Sequence, residues 1–310
     1  MKGTLRVHCL TFALLLGLCL KNFPARADNV YLSTFNLNTI DKFDSSGSGS
    51  DFATASSGLN YPLGVAFDSS GNLFVANAND IEEFSPSGQG SVFASSGLNG
   101  PIGLAFDSSG NLYVVNSGNN TIERFSPNGT GTVFATAASG LDSPDGLAFD
   151  TSGNLYVGND GNNTIEKFGT NGVGAVFATS GVNNPGGLAF DSSGNLYVAN
   201  GNNTIEKFNS IGQGSVFTLT NLVSFPIGLA FDSSGNLYVA NHGDGDILEF
   251  NPNGIGSVFA YGLEDAANYI AIEVPEPSSF LLAALATGSL VALLKRKRHR
   301  SGAERIQNHC

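Results

Sequence analysis

Residues 187–200 read Gly-Leu-Ala-Phe-Asp-Ser-Ser-Gly-Asn-Leu-Tyr-Val-Ala-Asn, and this stretch occurs five times, little changed, between residues 64 and 241. The copies begin at Gly64, Gly103, Gly146, Gly187 and Gly228, so successive copies start 39, 43, 41 and 41 residues apart. A period near forty residues, built of short alternating segments, is typical of a repeat architecture. The repeat is therefore the strongest signal for the fold of this 310-residue chain.

Each copy predicts four short antiparallel strands. In the fourth copy, the apolar segments 188–190 and 196–199 flank the turn Asp-Ser-Ser-Gly-Asn, where Asp can form an Asx turn and Gly or Asn can adopt positive φ. Residues 204–208 alternate apolar and polar side chains, and residues 215–218 supply a fourth strand. No segment has helical periodicity, so each copy predicts one blade of a β-propeller.

The two ends of the repeat region predict how the ring closes. Residues 29–32, 39–43 and 50–53 match the second, third and fourth strands of a copy, whereas residues 269–273 match a first strand. Five whole blades and one shared blade make six. Closure by the C-terminal strand would remove the exposed sheet edges. We expect an all-β, six-bladed β-propeller over residues 28–273.

The pattern Pro-x-Gly-Leu-Ala-Phe-Asp-x-Ser-Gly-Asn-Leu-Tyr-Val-Ala-Asn resembles the NHL-repeat and gluconolactonase-like class of six-bladed propellers, and it covers nearly all of residues 29–273. The resemblance implies the fold. It does not select a function, because lyases, lactonases, RNA binders and binding scaffolds share this architecture.

The first 27 residues have the layout of a secretory signal peptide. A basic N-terminal segment with Lys2 and Arg6 precedes an apolar run over residues 9–20 and a small-x-small cleavage motif at residues 25–27. This layout predicts cleavage between Ala27 and Asp28, and hence an exported protein.

The C-terminal segment resembles the PEP-CTERM sorting signal of Gram-negative bacteria. The motif Pro275-Glu276-Pro277 precedes an apolar run, which a basic stop follows at Lys295, Arg296, Lys297 and Arg298. The resemblance implies an exosortase-type processing protease as a partner, and a cell-envelope or exopolysaccharide setting. The alternative is an ordinary single-span anchor that is never cut; the combined motif, short span and basic stop favour sorting.

The predicted organisation follows from these end segments. Residues 274–300 form the sorting signal, with a transmembrane segment at 279–294, and residues 301–310 form a cytoplasmic tail. The propeller would be exported through the inner membrane and transiently anchored, and its destination would be the cell envelope or the extracellular matrix.

Charge and cysteine content exclude several functions for the body of the chain. Between residues 28 and 277 there are 25 Asp and Glu against four Lys and Arg, a net charge of −21, so nucleic acid is excluded as a partner. Divalent cations or basic proteins fit this charge better. The three cysteines, Cys9, Cys19 and Cys310, all lie outside this region, which excludes a disulfide framework, a thiolate metal site and a cysteine nucleophile there.

One face of the predicted propeller collects Asn- and Asp-rich turns after the second strands. Gluconolactonase-like propellers hold a divalent cation in the channel, and the resemblance implies such a site here. The candidate ligands for Ca²⁺ are Asp145, Asn159, Asp160, Asp244 and Asp246, since Ca²⁺ prefers hard oxygen ligands. The alternative, which the sequence favours, is that these residues serve the tight turns themselves.

The sequence offers no catalytic constellation. His242 is the only histidine between residues 28 and 277, and near-identical blades do not supply the different residues that one active site needs. The 23 phenylalanines fall mainly at strand positions and predict core. We expect a non-catalytic binding or structural protein, with polysaccharide or an envelope protein as its partner. The alternative is a metal-dependent, lactonase-like hydrolase that uses the same face.

Overall fold

The computed structural model describes residues 28–218, 221–263 and 267–273. These residues form six antiparallel sheets of four strands each. The innermost strands of consecutive sheets contact one another around a central channel, and the last sheet contacts the first. The predicted all-β, six-bladed propeller is confirmed.

The first blade combines both ends of the repeat region. It contains β1 (Asn29–Thr34), β2 (Thr39–Phe43) and β3 (Gly49–Ala53), with β24 (Ile270–Glu273) as its innermost strand. Blades 2 to 6 each take four consecutive strands. Blade 2 has β4 (Val65–Phe67), β5 (Leu73–Ala76), β6 (Ile81–Phe84) and β7 (Gly90–Ala94), and blade 3 has β8 (Pro101–Phe106), β9 (Leu112–Asn116), β10 (Thr121–Phe125) and β11 (Gly131–Ala135). Blade 4 has β12 (Pro144–Phe149), β13 (Leu155–Asn159), β14 (Thr164–Phe168) and β15 (Gly174–Ala178), blade 5 has β16 (Pro185–Phe190), β17 (Leu196–Asn200), β18 (Thr204–Phe208) and β19 (Gly214–Val216), and blade 6 has β20 (Pro226–Phe231), β21 (Leu237–Asn241), β22 (Asp246–Phe250) and β23 (Gly256–Ala260). Short 3₁₀ turns lie at Ala55–Ser57, Ser117–Asn119 and Ala137–Ser139.

The Asp-Ser-Ser-Gly-Asn turn joins the first two strands of each repeated blade, as its composition predicts. In blade 5, Oδ1 of Asp191 accepts hydrogen bonds from the backbone N–H of Ser193 at 3.0 Å and of Asn195 at 2.8 Å. Gly194 has a φ of +82°, a conformation that glycine adopts readily. The same Asp bonds form in the other four copies. The repeated aspartates are therefore turn residues.

Aromatic side chains pack the blades against each other. The ring of Tyr113 on β9 meets Phe134 of its own blade and Phe149 of the next blade edge-on, with centroids 5.0 and 4.9 Å apart. Equivalent triads surround Tyr31, Phe74, Tyr156 and Tyr197. Edge-to-face contacts of this kind stabilise a core beyond the area that they bury. Most phenylalanines are core residues, as their spacing predicts.

A ring of glycines allows the innermost strands to approach closely. A Cβ atom on Gly187 would lie 2.4 Å from the carbonyl oxygen of Ile227 in the next blade and 3.1 Å from the backbone nitrogen of Leu229. The channel that remains has a volume of about 80 Å³. Glycine therefore recurs at this position in blades 2 to 6, where a Cβ atom would clash with the backbone of the next blade.

We expect Gly187→Ala to lower the free energy of unfolding by about 1–3 kcal/mol, because the added methyl group must displace backbone atoms of the next blade. Gly186→Ala is the matched control, since its Cβ atom would lie 3.3 Å from its nearest neighbour. Urea unfolding of both variants measures the difference. Equal losses would show that the close approach at Gly187 does not limit the packing of the blades.

The predicted end segments lie outside the described residues. These are the signal peptide at 1–27, the sorting signal at 274–300 with its transmembrane segment at 279–294, and the tail at 301–310. Within the part of the chain that the structure describes, no helix has the length and apolar character needed to cross a membrane.

Candidate binding face at the channel mouth

One end of the propeller carries both the turns after the second strands and the loops that enter the first strands. In blade 4, for example, Asn159 at the end of β13 pairs with Pro144 at the start of β12. We call this end the mouth face. All five predicted calcium ligands belong to it.

Asn159 serves the frame of the blade. Its side chain is fully buried. Nδ2 donates hydrogen bonds to Gly140 O at 2.9 Å and to Thr164 Oγ1 at 3.0 Å. Oδ1 accepts a hydrogen bond from the Asp142 N–H at 3.2 Å. The same clip between the end of the second strand and the incoming loop is made by Asn77, Asn116, Asn200 and Asn241. We call these five residues the asparagine clips.

Asp246 also takes part in a clip. Its Oδ1 accepts a hydrogen bond from Nδ2 of Asn241 at 2.8 Å, where Thr164 accepts the corresponding bond in blade 4. Burial raises the pKa of Asp246, the bond from Asn241 opposes that shift, and the charge of exposed Asp244 adds to it. Nδ2 of Asn241 reaches Asp244 as well, at 3.5 Å. The carboxylates of Asp244 and Asp246 therefore stabilise the turn between β21 and β22 through Asn241.

Asp145 lies at the channel, where its carboxylate accepts a hydrogen bond from the hydroxyl group of Tyr269. Tyr269 directly precedes β24 of blade 1, whereas Asp145 belongs to blade 4, so the bond spans the channel between opposite blades. Burial raises the pKa of Asp145 to about 6, against the lowering effect of the Tyr269 hydroxyl, and nearby Asp160 raises it further. Burial also raises the pKa of Tyr269 well above its ordinary value, and the charge of Asp145 adds to this.

The predicted ligands therefore form two pairs, and Asn159 belongs to the frame. Asp145 interacts with Asp160, whose Oδ1 also accepts a hydrogen bond from Asn184 Nδ2 at 2.6 Å. The other pair is Asp244 and Asp246. Among the described residues, no group of three or more His, Cys, Asp or Glu side chains is placed to hold one metal ion. The calcium site stays a prediction, and its strongest remaining element is the Asp145–Asp160 pair.

The mouth face also carries exposed aromatic rings. Phe35 follows β1, and its ring centroid lies 4.9 Å from that of Tyr61 in the loop entering blade 2. Tyr61 is 47% exposed. In blade 6, Phe225 is 49% exposed and its ring lies 5.6 Å from that of His242. His242 Nδ1 is buried without a hydrogen-bond partner among the described residues.

Sequence reasoning missed these rings and Tyr269. Tyr269 occupies the position at which the five copies have the channel glycine, and Phe35 occupies the position of Ala78, Ser117, Asp160, Gly201 and His242. Each is thus a departure from the repeat. That departure is the signal by which alignment of the copies could have found them.

Comparison with known families finds one match, in which residues 98–125 fit the family model described as "NHL repeat". The chain contains an NHL repeat. No curated protein sequence matches the chain.

Several solved structures share the fold. The crystal structure of a nidogen/laminin complex matches with a TM-score of 0.70 and 19% identity, over 79% of this chain and 98% of the other. Virginiamycin B lyase from Staphylococcus aureus matches with a TM-score of 0.57 and 16% identity, over 78% of each chain. A gluconolactonase from Xanthomonas campestris matches with a TM-score of 0.60 and 19% identity, over 70% of this chain and 84% of the other. At these identities the likeness shows the propeller fold alone, which does not determine function.

Proposed function

We propose that this protein is an exported propeller that binds a partner at its mouth face and acts without catalysis. The observation that supports binding is where the blades differ. The polar residues common to the repeats, such as Asp191 and Asn159, form the turns and clips. The residues specific to single blades, which include Asp145, Tyr269 and Tyr61, lie on the mouth face. A binding site on a repetitive scaffold requires residues that differ from the repeat and lie on one face.

The export route is the second part of the proposal. The signal peptide cut after Ala27 would deliver the propeller across the inner membrane, and the C-terminal segment would anchor it until an exosortase-type protease acts near Pro275-Glu276-Pro277. The mature protein would work in the cell envelope or extracellular matrix. Polysaccharide and envelope proteins are the two classes of partner available in that setting.

One observation favours the alternative of a metal-dependent, lactonase-like hydrolase. The Asp145–Asp160 pair places two interacting carboxylates beside the channel, and carboxylate oxygens suit Ca²⁺. A bound cation there could polarise a substrate carbonyl group. The Tyr269 hydroxyl group already donates a hydrogen bond to Asp145, so a cation would compete with that bond.

Thermal unfolding with Ca²⁺ or EDTA separates the two functions. We expect no calcium-dependent change in the midpoint. A ligand at one hundred times its dissociation constant adds about 2.7 kcal/mol, which would raise the midpoint clearly. The variants Asp145→Asn and Asp244→Asn/Asp246→Asn locate any site that exists. A shift abolished by Asp145→Asn, together with turnover in a lactone panel, would replace the binding function with the hydrolase.

A further inference from the structure

An apolar pocket opens on the mouth face where blades 1, 2 and 3 meet. It has a volume of about 370 Å³ and is lined by the rings of Phe35 and Tyr61, the side chains of Leu63 and Ile102, and neighbouring small residues. Ligand pockets fall in this range of volume and are mostly apolar. Apart from the Tyr61 hydroxyl group, Ser117 supplies the only polar side chain of the lining.

Tyr61 is held there in an unfavourable backbone conformation. Its φ is +50°, which is uncommon for a bulky residue, and a hydrogen bond from its N–H to Asn38 Oδ1 holds it in place. Four other blades have Gly100, Ser143, Asn184 and Phe225 at this position before proline, all with positive φ. Glycine and asparagine tolerate this conformation better. Aromatic rings are therefore kept at this position in blades 2 and 6 against the local preference of the backbone, and both are half exposed on the mouth face, which indicates a function for them.

The charges around the pocket have one sign. The aspartates of the mouth face are Asp80, Asp142, Asp145, Asp160, Asp244 and Asp246. The described lysines lie at the other end of their strands: Lys42 pairs with Glu273 at 3.4 Å, Lys167 with Asp150 at 3.6 Å and Lys207 with Asp191 at 3.4 Å. The remaining basic side chain, Arg124, lies beside Tyr113 and Asp107. Among the described residues, the mouth face thus presents carboxylates without lysine or arginine side chains.

Asp145 lies next to the wall of the pocket. A Cβ atom on Gly103, the neighbour of Ile102, would lie 2.4 Å from the backbone oxygen of Asp145. Blade 4, which packs against the blade 3 wall of the pocket, therefore carries Asp145 and Asp160 on the mouth face.

We infer that the mouth face binds a protein segment that presents an aromatic side chain beside a lysine or arginine. This inference rests on the proposed function and names its partner. The aromatic ring enters the pocket at Phe35 and Tyr61, and the cation faces Asp145 and Asp160. Aromatic anchors in desolvated pockets dominate protein interfaces, and the acidic rim supplies complementary charge. A hydroxyl-rich sugar would find few hydrogen-bond partners in this lining, which disfavours polysaccharide.

Isothermal titration of the full-length protein with acetyl-Lys-Tyr-Lys-amide tests the inference. We expect binding that weakens at least tenfold when Glu replaces the lysines of the peptide, and at least tenfold when Ala replaces its tyrosine. Tyr61→Asn should cause a similar loss without lowering the unfolding midpoint, because Asn184 occupies the same site in blade 5. Asp145→Asn, or Asp160→Asn if the first variant is unstable, should remove the preference for lysine.

The same protein is titrated with neutral oligosaccharides. Oligosaccharide binding that Tyr61→Asn abolishes, without peptide binding, would overturn the protein partner and leave the mouth as the binding face. Peptide binding that neither Tyr61→Asn nor the aspartate variants alter would place binding elsewhere, and both the inference and the proposed function would fail.

Discussion

Deletion of residues 268–274 should abolish the closed propeller and yield aggregated or unfolded protein. The deletion removes β24, whose residues pair with β1 from Asn29–Glu273 to Leu32–Ile270. Ile270 is buried between blades 6 and 1, and Ala271 between blades 1 and 2. Burial of an isoleucine alone contributes about 1.5–3 kcal/mol. The free energy of unfolding of a domain is about 5–15 kcal/mol, so losing one strand and parts of two cores is severe.

The deletion also removes a polar network and exposes a new sheet edge. Glu273 accepts hydrogen bonds from Asn29 Nδ2 at 2.7 Å, from the Tyr31 hydroxyl at 3.1 Å and from Lys42 Nζ at 3.4 Å. Without β24, the edge of β1 is open to pairing with another chain. Size-exclusion chromatography and thermal unfolding would report both effects.

A circular permutant provides the matched control. Glu273 faces Asn29, so residues 267–273 can be placed ahead of Asn29 through a Ser-Ser-Gly turn, which gives blade 1 the connectivity of the other five. We expect this permutant to fold with a midpoint close to that of the parent. A soluble, cooperatively unfolding deletion variant would show that the ring does not depend on β24.

The closed ring could be predicted from the sequence because its evidence is local and repeated. Residues 269–273 align with a first strand 41 residues after Gly228, and residues 29–53 lack one. Blades 2 to 6 use the same turns and the same strand periodicity, so agreement among the five copies reinforces every assignment. The architecture required no knowledge of contacts between distant residues.

The candidate site depended on information that the sequence pattern does not contain. Asp145 and Tyr269 are separated by 124 positions and meet only because blades 4 and 1 lie opposite each other. Asn159 was a candidate metal ligand by its residue type, yet it is a clip that all five copies share. Most phenylalanines were expected in the core, but Phe35 and Phe225 lie in a turn and a loop and are not core residues. Residue type suggested ligands, whereas departure from the repeat better indicates which residues meet at the mouth.

Buried glutamates provide the second prediction of large effect. Glu82, Glu123, Glu166 and Glu206 occupy one register position on the third strands of blades 2 to 5, and each is only 5–6% exposed. Oε2 of Glu82 is buried without a hydrogen-bond partner in the described part of the chain. Burial raises the pKa of all four carboxyl groups, and the charge of Asp80 adds to this at Glu82. Blade 6 has Leu248 at this position.

The direction of the pKa shift sets the pH dependence of stability. A carboxyl group with a raised pKa keeps its proton in the folded state at a pH where the unfolded chain has lost it. The resulting stability is fully present below the unfolded pKa, near 4.5, and is lost as the pH rises through the folded pKa. Ionised glutamates should therefore weaken the propeller at neutral pH.

We expect Glu82→Gln to match the parent near pH 4 and to unfold at a higher temperature at pH 8. A gain of about 1 kcal/mol, the scale of one relieved buried polar group, would raise the midpoint by about 2–4 °C in a domain of this size. Because the four glutamates lie in separate blades, the gains should add in the quadruple variant. Glu82→Leu should also stabilise, since Leu248 packs in the equivalent place in blade 6.

The exposed carboxylate of Asp142 provides the control, and Asp142→Asn should change the midpoint little at either pH, because Asn99 and Asn183 occupy the equivalent position in blades 3 and 5. Asp145, whose pKa is also raised, is common to all these proteins, so its contribution cancels in the comparison. A Gln variant that is less stable than the parent at pH 8 would show that the ionised glutamates are stabilised in the blades. The four positions would then be selected for charge, and the leucine of blade 6 would be the departure that needs a reason.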